Sequence, residues 1–274
     1  MATTVKSSDA VLRESPEEVV ARADMVGRDR LERSRADVLV TAAIGGVEVS
    51  LGALAATAVL GAVITAAPGV GLSFGLAVGG LVFPIGFLFV ILGRSELFTE
   101  NFLIPVVTVV RDRERWPRLA ELWALSWAGN LFGCAVIAAL ISVADATGTT
   151  VHTGFAAYTA HKLSMSPLGT FVSAILAGIT MTILTWLVVA VQNMAARIAA
   201  ILAAGYLLYA ANLAHTIVGS AVIFAGWHEA GRSPAEVAEW LALATTGNLV
   251  GGIALVTALR VAQAKAKVAS RKGD

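Results

Sequence analysis

The chain has 274 residues, of which 57% are hydrophobic and 14% charged, with 20 Lys and Arg against 19 Asp and Glu and a mean hydropathy of +0.77. Soluble domains run at roughly 45–50% apolar and about 25% charged, so this composition excludes a soluble enzyme and a disordered chain. A net charge of +1 leaves no basic footprint for nucleic acid, and a single cysteine, Cys134, leaves no internal disulfide and no cysteine-based zinc site.

Residues 1–37 carry 15 charges and no apolar core segment, so no cleavable leader is expected there. Ser15-Pro16-Glu17-Glu18 reads as a helix start, with Ser15 as cap, Pro16 at the first helical position and Glu18 completing a capping box. Val19, Val20, Ala23 and Val26 follow at helical spacing. The expectation is an amphipathic helix on the membrane surface, or a solvated one.

A span needs about 20 mainly apolar residues, and six segments qualify, near 38–66, 70–110, 119–143, 167–191, 198–226 and 239–260. Lys and Arg cluster in residues 6–35, 111–118, at Arg197 and in 260–272, which together hold 17 of the 20. This bias predicts six spans with both termini in the cytoplasm of a bacterial inner membrane. The domain reading is a cytoplasmic N-terminal amphipathic helix over 1–37, a six-span membrane domain over 38–260 and a basic cytoplasmic tail over 261–274.

Two segments are too long. Residues 70–110 count 41, roughly 60 Å as a straight helix against a hydrocarbon layer of about 30 Å. Arg94, Ser95, Glu96, Thr99, Glu100 and Asn101 interrupt them. Residues 198–226 carry Asn212 and His215 near their middle. Both read as broken helices, and a broken pair in matching positions points to a transport site.

The chain also repeats itself. Glu121-Leu-Trp-Ala-Leu-Ser-Trp-Ala-Gly129-Asn130-Leu131-Phe-Gly133 is similar to Glu239-Trp-Leu-Ala-Leu-Ala-Thr-Thr-Gly247-Asn248-Leu249-Val-Gly251, at a constant offset of 118. The same offset carries Leu97–Asn101 onto His215–Gly219, so the two breaks are equivalent elements of two halves. Three spans per half make the second half cross in the opposite sense. The expected fold is therefore an all-α membrane protein of six transmembrane helices, built as two inverted three-helix repeats with helices 2 and 5 broken, an aquaporin-like protomer. Asn130 and Asn248 read as interhelical glue beside small residues.

Polar groups at bilayer depth are costly and mark either a site or internal pairing. Thr99, Asn212 and His215 are the central candidates. An imidazole in apolar surroundings can donate one hydrogen bond and accept another. His152, His161 and His228 fall in outer loops and are expected to be solvated. Glu48 lies within the first span and faces either a subunit seam or a cavity. No HExxH, CxxC, phosphate-binding loop or nucleophile elbow occurs, so neither an enzyme nor a cofactor is expected.

Taken together, Leu97-Phe98-Thr99, His215-Thr216-Ile217, Gly79-Gly80 with Phe83, and Lys162 placed 24 residues before Trp186 resemble the formate/nitrite transporter family over residues 38–260, and Gly93–Asn101 looks like a divergent branch of it. The resemblance implies a homo-pentamer in the lipid bilayer, each protomer with its own pore. It implies a central station at His215 and Thr99, apolar constrictions at Phe83 and Leu208 outside and Phe87, Leu97 and Phe98 inside, and a vestibule lysine at Lys162. The sequence departs from the family at Ala214, where an acidic residue is common, and at Gly178, where an asparagine is expected. Glu96 and Glu100 add negative charge beside the loop. The function implied is passage of small monovalent anions or their conjugate weak acids, proton-linked through the histidine. The alternatives are a channel for a neutral solute (water, ammonia or hydrogen sulfide) and a membrane scaffold that transports nothing.

Overall fold

The computed structural model describes residues 15–273; the side chains of 144–145 and 267–273 lie outside that description. Parts of the expected N-terminal segment (1–14) and basic tail (274) therefore fall outside the described residues. Those described are helical throughout apart from turns and short extended links.

Helix α1, Pro16–Glu32, starts at the expected capping box: Ser15 Oγ accepts from the Glu18 amide and the Glu18 carboxylate accepts from the Ser15 amide. Its apolar face is covered by protein. Val19, Val20, Ala23 and Leu31 are buried, the first three in a cluster with Leu103, Ile104, Val107 and Ala264. The first span is α2, Arg35–Ala66, capped by Ser34. The second is divided into α3 (Leu72–Gly80), α4 (Pro84–Gly93), a 3-10 turn over Phe98–Phe102 and α5 (Ile104–Arg111). The third is α6, Trp116–Ile141.

A short turn, α7 (Ala144–Thr147), leads to α8, Thr149–Leu163, a helix where the sequence suggests a loop. Helix α9 (Pro167–Ala190) is the fourth span. The fifth is α10 (Met194–Ala210) and α11 (Thr216–Gly226), joined by a short link. The sixth runs from α12 (Pro234–Leu249) through a π-helical stretch, Val250–Thr257, into α13 (Ala258–Gly273). Among the described residues five helical stretches are long and apolar enough to cross a membrane, and the shorter apolar helices α10 and α11 together make the fifth span, bringing the spans to six. Segment limits shift by a few residues where caps decide them. The fourth span opens on a Ser166 cap, the fifth on Asn193 and the sixth on the Ser233–Glu236 capping box.

The halves are held by equivalent close crossings. A Cβ on Gly46 would collide with the Asn130 carbonyl, and one on Gly178 with the Asn248 carbonyl. Gly133 meets the Ala43 carbonyl as Gly251 meets that of Ile175. Small residues let backbones approach where the hydrophobic effect between helices is absent. This explains Gly178: the α12 backbone occupies the space that an asparagine side chain would need. Trp127 and Thr245, related by the repeat offset of 118, touch each other, the indole Nε1 donating to Thr245 Oγ1 at 3.2 Å. A residue in contact with its own equivalent marks the pseudo-symmetry axis.

Candidate functional site

Both breaks are built the same way. Among the described residues, Arg94 (φ 60°) and Asn212 (φ 50°) are the non-glycine residues with left-handed backbone, and they are 118 apart. In the second span Asn130 Nδ2 donates to the carbonyls of Ala42 and Glu96, while its Oδ1 accepts from the Phe98 amide, all at 2.8 Å. In the fifth, Asn248 Nδ2 donates to the carbonyls of Ala174 (2.8 Å) and Ala214 (3.0 Å), and Oδ1 accepts from the Thr216 amide (2.9 Å). Broken backbone at membrane depth must find partners inside the protein, and one asparagine per half supplies them. Ser173 Oγ adds a bond from the Ala214 amide at 3.0 Å, so Ala214 contributes backbone rather than charge.

The breaks face each other at His215 and Thr99. Both are fully buried, and His215 Nε2 lies 2.9 Å from Thr99 Oγ1. His215 is also the cap of α11: its Nδ1 accepts from the Val218 amide at 3.1 Å. An accepting Nδ1 is unprotonated, so in the neutral ring the proton sits on Nε2, which donates to Thr99. The Phe87 ring stands edge-on, with centroids 6.2 Å apart. Phe83, Phe87, Leu97, Phe98 and Leu208 are all buried in one cluster with Leu213. Phe83 meets Phe87 edge-on at 5.1 Å, and Phe98 meets Phe102 at 5.0 Å.

Two tyrosines complete this core and are missed as site residues by sequence reasoning. Tyr209 stacks on Phe83 at 5.4 Å and meets Tyr158 edge-on at 4.9 Å; its buried hydroxyl has no hydrogen-bond partner. Tyr158 sits on α8, whose helical nature the sequence hides.

On the face bearing α8, Lys162 is buried, not open to solvent. Its Nζ donates to Asn212 Oδ1 at 2.9 Å and to the Leu213 carbonyl at 3.4 Å, and lies 4.5 Å from the Tyr158 ring centre. It lines a cavity of about 180 Å³ with Met165, Thr170, Glu236, Glu239 and Trp240. His161 and His228 are exposed, while His152 is partly covered and pairs with Glu229. Glu48 lies against Gly93, with Oε2 buried and without a hydrogen-bond partner. Cys134 is free and buried.

On the face bearing α1, a cavity of about 270 Å³ lies below the first break, lined by Arg30, Arg33, Arg94, Ser95, Glu96 and Glu100 with apolar residues of α4 and α9. Arg30 donates to Glu96 (3.2 Å), Asn101 (2.9 Å) and Glu100 (3.3 Å), and Arg33 pairs with Glu96 and Asp37. Burial opposes the Arg30 charge, but Glu96 and Glu100 outweigh it and hold the guanidinium above its ordinary pKa. The two glutamates, read from sequence as added negative charge, are thus neutralised from α1.

No cluster of three or more His, Cys, Asp or Glu suited to a metal occurs among the described residues. The arrangement offers a buried hydrogen-bonding pair between apolar rings, with a charged mouth on either face.

Residues 17–262 match the sequence pattern of a family described as Formate/nitrite transporter. The chain is 33% identical over 107 residues to a "Probable formate transporter" of Methanothermobacter thermautotrophicus, a stretch that is 39% of this chain and only 38% of that protein. Two solved structures share the fold. One described as an "FNT family ion channel" has a TM-score of 0.71 at 20% identity, covering 87% of this chain and 94% of its own. The other, "Pentameric formate channel with formate bound", has a TM-score of 0.63 at 19% identity, covering 81% and 94%.

Proposed function

The chain belongs to the formate/nitrite transporter family, and from that premise we propose that it passes small monovalent anions, or their conjugate weak acids, through a pore in each protomer, with passage linked to a proton. The path runs from the Lys162 mouth, past Phe83 and Leu208, to Thr99 and His215, and leaves past Phe87, Leu97 and Phe98 into the arginine-lined cavity. The observation that carries this reading is the buried Thr99–His215 hydrogen bond, with the ring's second nitrogen engaged by the Val218 amide. With Nε2–H donated to Thr99, the threonine hydroxyl hydrogen has no acceptor among the described residues. It is free to donate to a carboxyl oxygen at mid-depth.

Magnitudes decide the form that crosses. A bare anion in an apolar ring faces an idealised solvation cost of tens of kcal/mol. A carboxylic acid with a reference pKa near 3.9 is protonated at pH 7 for about three pKa units, roughly 4 kcal/mol. The neutral acid is the species that crosses. The anion is drawn to the Lys162 ammonium, takes a proton at that mouth and is relieved of it on the far side. Direct protonation at the mouth fits better than transfer through His215, because a proton arriving at Nδ1 would evict the α11 amide that it caps.

The chain assembles as a pentamer in this reading, by analogy with the solved channel described as pentameric. It sits in the cytoplasmic membrane with α1 and α13 inside, where most of its Lys and Arg fall. The test is uptake by proteoliposomes of formate, nitrite, acetate, lactate and hydrosulfide across pH. Saturable uptake that rises as external pH falls, with matching internal acidification, is expected. Osmotic water flux with no uptake of any weak acid would replace this reading with the neutral-solute channel.

A further inference from the structure

Helix α1 lies outside the repeat, yet it and its C-cap residue Arg33 supply two of the three cations lining the cavity below the first break. The repeat shows what this mouth is without them. At the equivalent positions on the opposite face, Arg94, Ser95 and Glu96 become Asn212, Leu213 and Ala214, and Glu100 becomes Val218. The first break therefore carries two carboxylates at positions where its counterpart has none, although Glu236 and Glu239 of α12 line the opposite cavity, and of its own residues Arg94 alone opposes them. Arg30 and Arg33 reach across 66 and 63 positions to cover both: Arg30 bonds Glu96 and Glu100, and Arg33 bonds Glu96. Asn101 Nδ2 joins the network through Glu96 Oε1 at 2.6 Å. Arg94 is exposed and lines the same cavity. Three guanidiniums then line the cavity with two carboxylates, Arg33 being shared with Asp37 outside it; without Arg30 and Arg33, one would face two.

We propose that Arg30 and Arg33 are specificity-determining residues of the pore, borrowed from α1 and its C-cap to turn an acidic mouth into one that admits small anions. This rests on the anion reading above and extends it, since it assigns the charge selectivity of one mouth to a helix outside the membrane domain. Loss of Arg30 leaves Glu100 without its arginine, and loss of Arg33 leaves Arg30 alone to cover both glutamates; like charge at a narrow entrance repels an anion before it reaches the constriction.

A thiol reporter tests the charge directly. Ser95 lines the cavity, and the native Cys134 is fully buried. In detergent-solubilised Ser95→Cys protein, the reaction rates of a sulfonated and a quaternary-ammonium methanethiosulfonate are compared, each relative to a free thiol. The anionic reagent should be favoured, and raising salt from 10 mM to 1 M should draw the ratio toward one. Arg30→Gln should lower the ratio on the order of fivefold, from one unit charge at about 8 Å in water acting oppositely on the two reagents. Glu100→Gln alone should raise it, and Arg30→Gln with Glu100→Gln should restore it. A ratio indifferent to salt and to both substitutions would overturn the proposal, as would a loss that Glu100→Gln fails to restore. Chains that move no weak acid at all would sink the transport reading while this ratio still decides the mouth's charge.

Discussion

Arg94 and Asn212, 118 residues apart, share the left-handed backbone that turns each broken helix aside, with φ of 60° and 50°. The chain thus makes the same unfavourable choice twice, at the same place in each half. Left-handed backbone costs a β-branched residue roughly 1–3 kcal/mol, whereas glycine adopts it freely. Arg94→Val and Asn212→Val should each lower stability by about that amount, read as a fall in the thermal midpoint in detergent, while Arg94→Gly and Asn212→Gly should fall by less. Equal losses for Val and Gly at both sites would mean that side-chain contacts, not backbone, matter there.

The two asparagines that tie the breaks predict matched losses. Asn130 and Asn248 each serve two carbonyls and one amide, all buried. An unsatisfied buried group costs about 1–3 kcal/mol. Asn130→Ala and Asn248→Ala should therefore each cost several kcal/mol, with a steep fall in the yield of folded protein. Replacement by Asp should be no better, because a carboxylate cannot donate to the two carbonyls. A tolerated Asn248→Ala beside a crippling Asn130→Ala would break the equivalence of the halves.

How much of this was legible in the sequence differs between elements for physical reasons. The breaks were visible because helix length is fixed arithmetic against bilayer thickness, and the 118-residue offset placed them together. His215 and Thr99 followed as polar groups at a cost-bearing depth, and the structure brings them into hydrogen-bond contact. The partners of Glu96 and Glu100 did not follow. Arg30 lies on α1 and Arg33 at its C-cap, more than sixty positions away, and no local period encodes such a pairing. The burial of Lys162 was equally hidden, because α8 has mixed polarity and covers the lysine only through its packing against α2 and α11. Gly178 looked like a lost pore residue until the α12 carbonyl beside it explained the absence of a side chain.

The double engagement of His215 separates two substitutions. Asn is a good helix cap and should keep α11 in place while losing the bond to Thr99. Phe loses both, and the missing cap alone costs about 0.5–2 kcal/mol. His215→Asn should fold near the parent's stability yet lose most of its weak-acid uptake. His215→Phe should lose uptake and stability together. Full uptake by the Asn variant would reduce the histidine to a cap.

Lys162 carries the last expectation, and its geometry sharpens what to measure. Its ammonium is held by Asn212 Oδ1 and the Leu213 carbonyl, at the threshold of the fifth-span break. A cation there attracts an anion and also braces the link. Neutralising it in Lys162→Gln should weaken the apparent affinity for the anion several-fold with little change in saturated rate. The loss should widen as ionic strength falls, since an attraction over a few ångströms to about a Debye length (~10 Å at 0.1 M salt) is screened by added salt. A brace alone predicts something else: a lower thermal midpoint and a lower saturated rate, both indifferent to salt. Uptake kinetics of the parent and the variant at 10 mM and 300 mM salt, with thermal midpoints alongside, distinguish the two roles. A salt-independent defect would remove Lys162 from the capture step and leave it as a structural contact of the break.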